Sequence, residues 1–195
     1  KPLCTPSMEG VEQLIKISND LKIPVFVGYD HSVGNASLFI KKLLSEKILG
    51  EVKTIDVEFR EHWQGIFNAH PWLDGPQDSY LGYWERGGGA CGEHSHAIHL
   101  WIYFSHLADL GNVNSVSAMM KYKTDGKMSY DEIAFLNLKT DKGICGRVVQ
   151  DVISNPIKKF AIIQGEMGKI EWICNSKPGL DSVIISKINE EATTK

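Results

Sequence analysis

NSVSAMMKYKTDGKMSYDEIAFLNLKT, residues 114 to 140, reads as two strand-forming runs on either side of a short turn, Thr124-Asp125-Gly126-Lys127. Further runs of this kind follow: GICGRVVQDVIS (143–154), KKFAIIQGE (158–166), GKIEWICN (168–175) and SVIISKI (182–188). With only short turns such as TDKG between some of them, the pattern predicts a meandering antiparallel sheet. Working upstream, EVKTIDVEFREHW (51–63) sets Val52, Ile55, Val57 and Phe59 against charged residues, as a half-exposed strand does. ASLFIKKLLSEKIL (36–49) is an amphipathic helix closed by Gly50.

Near the start, SMEGVEQLIKISNDLK (7–22) predicts a helix capped by Ser7, with Val11, Leu14, Ile15, Ile17 and Leu21 as its apolar face. IPVFVGY (23–29) is a continuous apolar run, the signature of a buried and often parallel strand. A helix followed by such a strand is similar to the last unit of a doubly wound sheet. Residues 64–86 carry Pro71, Gly75 and Pro76 among aromatics, and read as a long ordered loop with one helical turn.

The composition narrows the classes. At 195 residues the chain is one domain, or one domain with a fragment of another. A net charge of −3 gives no electrostatic reason to expect nucleic acid or an anionic membrane as partner, and no apolar run reaches membrane-spanning length. Cys4, Cys91, Cys145 and Cys174 are widely spaced, which fits reduced thiols and a cytoplasmic protein. The chain opens at Lys1-Pro2 without methionine, as if cut from something longer.

The densest chemistry lies in GGGACGEHSHAIHL (87–100), ahead of a central helix expected over 92–108. On a continuous helix Glu93, His96 and His99 share an arc of about 120°, with His94 nearly opposite His96. The His94/His96 pair therefore diverges, and no metal is expected. In the plainer reading His94 and His99 pack structurally, with Leu100, Trp101 and Phe104 as core. His96 stands apart, because Glu93 one turn earlier can orient its imidazole, and a histidine near neutrality suits an alcohol–ketone interconversion. The glycines would let a ligand approach the backbone, where a helix N-terminus favours negative charge.

The segment 87–100 resembles the G-G-G-x-x-x-E-x-S-H-E-[IL]-D stretch of one branch of the Gfo/Idh/MocA (glucose–fructose oxidoreductase/inositol dehydrogenase) family, aligning Gly87, Gly88, Gly89, Glu93, Ser95 and His96 without a gap. Lys1-Pro2 is similar to the end of its E-K-P motif, VGYDHS (27–32) to its V-G-Y-N-x-R segment, ILGEVKTIDVEF (48–59) to its helix-to-strand junction, HPWLDGPQDSYLGYWERGGG (70–89) to its H-P-W-E-D-Y stretch, and IIQGEMGKIEW (162–172) to its I-x-G-x-x-G hairpin. The resemblance implies NAD(P)-dependent oxidation or reduction of a sugar, cyclitol or nucleotide-sugar hydroxyl. It also implies a homo-oligomer formed through the large sheet. Lys1 would be the catalytic or substrate-orienting lysine, Lys1 and Pro2 would border the cofactor, and His96, with Glu93, would handle the hydroxyl proton. Asp30-His31-Ser32 replaces Asn-x-Arg, and Ala97 and His99 replace the Glu and Asp that follow the Ser-His pair. Around the helix mouth, Tyr29, His31, His70, Trp72, Tyr80, Trp84, Arg86 and His99 are candidates for carbohydrate contacts, with Arg86 suited to an anionic group.

A dinucleotide fold needs a Gly-rich turn between its first strand and helix, and no G-x-G-x-x-G stands near the N-terminus. The expected fold is therefore α+β: a large, mostly antiparallel sheet with helices on one face (32–195), preceded by a helix–strand remnant of a Rossmann domain (1–31). NAD or NADP belongs to an intact parent rather than to this chain. Three functions stay open: the substrate and oligomerisation half of an oxidoreductase, a non-catalytic sugar-binding or assembly module, and a metal-dependent enzyme built on the histidines.

Overall fold

The computed structural model describes residues 2–195. An eight-stranded sheet forms the body, in the order β2-β3-β4-β1-β5-β6-β7-β8. Its strands are β1 (Val52–Arg60), β2 (Val113–Asp125), β3 (Met128–Thr140), β4 (Cys145–Asp151), β5 (Lys158–Gly165), β6 (Gly168–Lys177), β7 (Leu180–Lys187) and β8 (Thr193–Thr194). The β2–β3 hairpin closes as its sequence suggests: Asp125 pairs with Met128, and Gly126 takes φ +59° at the first central position of the turn. The meander is interrupted once. Strand β1 is inserted between β4 and β5, parallel to the first and antiparallel to the second, so the chain crosses β1 between residues 151 and 158.

Two helices cover one face of the sheet. Helix α2 (Asn35–Ser45) buries Ile40, Leu43 and Leu44, an i, i+3, i+4 stripe, and α5 (Ser95–Leu107) buries Leu100, Trp101 and Phe104. They meet Ile55, Val57 and Phe59 of β1 with Ile163, Ile170 and Trp172. Trp101 Nε1 donates to the Ile55 carbonyl at 2.8 Å, so the largest core residue also satisfies its polar atom. The opposite face is wet: Arg60 pairs with Glu58 and Asp151, Arg147 with Asp56, while Met119 and Phe135 are exposed.

Local readings are corrected in four places. Helix α1 spans Val11–Leu21 and is capped by Gly10, not Ser7, because Met8 and Gly10 adopt left-handed φ and turn the chain just before it. The 23–29 run is not a buried strand. It belongs to no strand, and Ile23, Val25 and Phe26 are exposed; a strand needs a ladder partner, and among the described residues none lies beside it. Helix α2 ends at Ser45, and residues 46–50 form a turn with Lys47 and Gly50 left-handed. The 64–86 loop holds α3 (Trp63–Ala69) and three single 3₁₀ turns, at 76–78, 80–82 and 84–86.

Candidate functional site

The expected helix over 92–108 is two: α4 (Gly89–Glu93) and α5, with a break at His94. There Ala97 N–H reaches back only three residues, to the His94 carbonyl at 2.8 Å. Gln150 on β4, fully buried, donates its Nε2–H to the Ala90 carbonyl (3.4 Å) and to the His94 carbonyl, holding the break against the sheet. His94 is buried under α5 with Phe59 as ring neighbour.

The triple glycine does not make a cradle for a ligand. A Cβ on Gly88 would lie 2.2 Å from the Tyr80 carbonyl oxygen, and one on Gly89, at φ +81°, would lie 1.9 Å from Asp131 Oδ1. Protein atoms fill the space these glycines leave. Asp131, on β3 where the ladder shifts register, accepts from Cys91 N–H at 2.8 Å. The negative charge at the start of α4 is thus the chain's own. Burial pushes the Asp131 carboxyl up against the opposing pull of these hydrogen bonds, and burial beside Asp131 pushes the Cys91 thiol up to about 12.

His96, in the first turn of α5, is the centre of a second cluster. Its side chain is 14% exposed, and its Nδ1 lies 3.5 Å from Asp30 Oδ1. Tyr29 stacks flat on His99 (4.2 Å between ring centroids, 5° between planes) and stands edge-on to His96 at 5.4 Å. His31 lies edge-on to His96 at 4.9 Å and is backed by Phe59 (5.3 Å) and Trp172 (5.4 Å). The 3₁₀ turn over 30–33 carries Asp30 and His31, and α2 pins it: Ser37 Oγ donates to the His31 carbonyl at 2.6 Å. Burial lowers the His99 pKa, so that ring stays neutral near pH 7.

The other expected residues fall into two groups. Tyr80 donates to Glu93 Oε2 at 3.5 Å, and burial together with that carboxylate pushes the phenol up to about 12. Pro2 lies over Gly87, and residues 2–5, Tyr80 and Arg86 line an open pocket of about 290 Å³, with the Arg86 guanidinium 4.2 Å above the Tyr83 ring. Trp84 is exposed on the adjoining turn. His70 and Trp72 pack on each other at 5.1 Å, with His70 Nδ1 2.7 Å from the Ile66 carbonyl, on the 63–73 segment. Lys1 lies outside the described residues. Sequence reasoning missed Asp30, Asp131 and Gln150. For Asp131 and Gln150 the available signal was a carboxylate and an amide within runs expected to form strands; for Asp30 it was the replacement of the motif's Asn.

Among curated protein sequences, none matches this chain. Solved structures share its fold. An inositol dehydrogenase homolog from Azotobacter vinelandii, solved with NAD+, superposes with a TM-score of 0.77 at 15% identity, over 100% of this chain and 49% of its own. The homolog solved with NADH and myo-inositol gives 0.71 at 15% identity, over 96% and 46%. The WlbA dehydrogenase from Bordetella pertussis, in complex with NADH and UDP-GlcNAcA, gives 0.63 at 20%, over 82% and 46%. The chain thus spans just under half the length of these proteins. The family model for the GFO/IDH/MocA C-terminal domain matches residues 38–171, more than half of the chain, and the chain belongs to the GFO/IDH/MocA family.

Proposed function

We propose that this chain is the substrate and oligomerisation half of an NAD(P)-dependent oxidoreductase acting on a sugar, cyclitol or nucleotide-sugar hydroxyl. The observation that carries this reading is the placement of His96: an imidazole at a helix start, partly open to solvent, with Asp30 at its Nδ1 and an aromatic wall beside it. Relatives of the same fold were solved with myo-inositol and with UDP-GlcNAcA, which favours a polyhydroxylated substrate here.

In this reading the imidazole of His96 takes the proton of the reacting hydroxyl, and Asp30 stabilises the imidazolium that forms. Tyr29 and His31 offer ring surfaces to the C–H faces of the substrate. Glu93 and Tyr80 hold the rim between the Pro2 pocket and α4, and Lys1, by motif position, supplies a cation to the reacting oxygen. NAD(P), when bound, supplies the hydride acceptor. Its pyrophosphate does not fit the start of α4, where Asp131 already accepts from the backbone and the glycines are packed against protein. The phosphates therefore belong to an upstream dinucleotide-binding domain, of which residues 1–31 are the tail. The exposed apolar residues of 23–26 support that assignment. Met119 and Phe135, paired with each other and exposed on the uncovered sheet face, support self-association through the sheet.

The test is His96→Ala in the protein extended through its upstream domain, assayed by NAD(P) reduction against a panel of cyclitols and nucleotide sugars. Turnover falls by about 10²-fold or more, with cofactor binding retained. Near-wild-type turnover in that variant would sink the assignment.

A further inference from the structure

The geometry points to a transition-metal site formed by Asp30, His31 and His96, matched to zinc. Each residue offers one donor atom, and the three donors lie within 4.8 Å of one another. Zinc binds imidazole nitrogen and carboxylate oxygen at roughly 2.0 to 2.2 Å, so neighbouring ligands of a tetrahedral site stand about 3.4 Å apart. The His96 Nδ1 to Asp30 Oδ1 separation, 3.5 Å, is already close to that edge. Two histidines and one carboxylate leave a fourth position, and Asp30, whose side chain is 78% exposed, sits where that position reaches solvent.

The support around the donors fits the same use. Asp30 Oδ1 accepts from His31 N–H at 3.0 Å, which fixes the carboxylate and leaves Oδ2 and a second lone pair of Oδ1. The His31 ring is backed by the buried rings of Phe59 and Trp172, an apolar shell that limits its rotation. A helix alone does not converge these ligands. Here His96 comes from α5, while Asp30 and His31 come from the 30–33 turn. A second set around His31, with Cys174 and Asp181, is the poorer candidate. Asp181 already accepts from Trp172 Nε1 and Asn175 N–H, each at 2.9 Å.

An ion at this site holds His96 by Nδ1 and sets positive charge beside the imidazole, which opposes a further proton on the ring. Zinc therefore restrains turnover. That consequence rests on the proposed oxidoreductase reading, while the site itself does not, and binding is measured without turnover. The experiment is a Co²⁺ titration of the protein followed by its visible ligand-field bands, with Zn²⁺ as competitor. One equivalent binds and is displaced by Zn²⁺. Asp30→Asn and His31→Gln each weaken binding by at least about tenfold, whereas His106→Gln, on the exposed end of α5, leaves it unchanged. Asp30→Asn alters one exposed atom, so its fold is retained, and a thermal melt checks this. Absence of a saturable band at millimolar Co²⁺, or a band unaltered in both Asp30→Asn and His31→Gln, overturns the site. Binding that is lost as expected while Zn²⁺ leaves the turnover of the upstream-extended protein untouched upholds the site and overturns only its role at His96.

Discussion

Two apolar runs of this chain, similar on paper, are treated oppositely by the fold. Along β1, Val52, Ile55, Val57 and Phe59 are all buried, whereas in 23–26 Ile23, Val25 and Phe26 are exposed, Phe26 to 87%. Hydrophobicity does not separate them. Strand β1 has a ladder on both edges, to β4 and β5, and two helices over its inner face. The 23–26 run has neither among the described residues, and Pro24 removes a donor it would need. An apolar run states a demand for burial, and the rest of the chain decides whether the demand is met here or by another surface.

Deleting a side chain on the satisfied side has the largest effect. Trp101 is fully buried between α5 and β1 and donates to the Ile55 carbonyl. Trp101→Ala removes a large packed volume and leaves that carbonyl without its partner, so it destabilises by about 3–5 kcal/mol in urea unfolding. A loss below about 1 kcal/mol would mean that the helix and sheet are not one cooperative core.

A smaller effect tests the seam between the two regions, where Tyr29 ends the exposed run and stacks on His99. Burial sets the folded pKa of His99 below its ordinary value of 6.5. Between those two values the unfolded chain binds a proton that the folded chain does not. Stability contributed by the neutral ring is thus present above pH 6.5 and is lost as pH falls through the folded pKa. Comparing wild type with His99→Phe across that window cancels the other histidines, and the wild type loses more stability on acidification. Equal pH dependence in the two proteins would show that Tyr29 leaves His99 as hydrated as in the unfolded chain.

What was legible in the sequence divides along the same line. The β2–β3 hairpin was readable because its turn chemistry is local, and the stripe of Leu100, Trp101 and Phe104 because a helix period is local too. The insertion of β1 beside β4 was not, since Asp56 meets Arg147 across 91 residues and no local pattern encodes a parallel neighbour. On sequence alone the glycines at 87–89 offer room for a ligand, whereas in the fold the occupants at Gly88 and Gly89 are the Tyr80 carbonyl and the side chain of Asp131. Nothing in a single chain says which atoms will enter the space a missing Cβ leaves. His96 was legible by resemblance, but its neighbour Asp30 was visible only as a departure from a motif. That it meets His96 follows from how α2 and α5 pack, which is tertiary information.

On the unsatisfied side the effect is small. Phe26 makes no core contact and stands almost wholly in solvent, so Phe26→Ser in this chain changes stability by no more than about 0.5 kcal/mol. It should also improve solubility, since an exposed aromatic beside Val25 and Ile23 invites association. In the upstream-extended protein the same substitution acquires a cost, because there, on the proposed domain assignment, the run finds the sheet it lacks here. Parallel urea denaturation of both forms measures the difference. A substitution equally silent in both would show that the 23–26 run is surface in either form, and that the demand it states is not met by an upstream sheet at all.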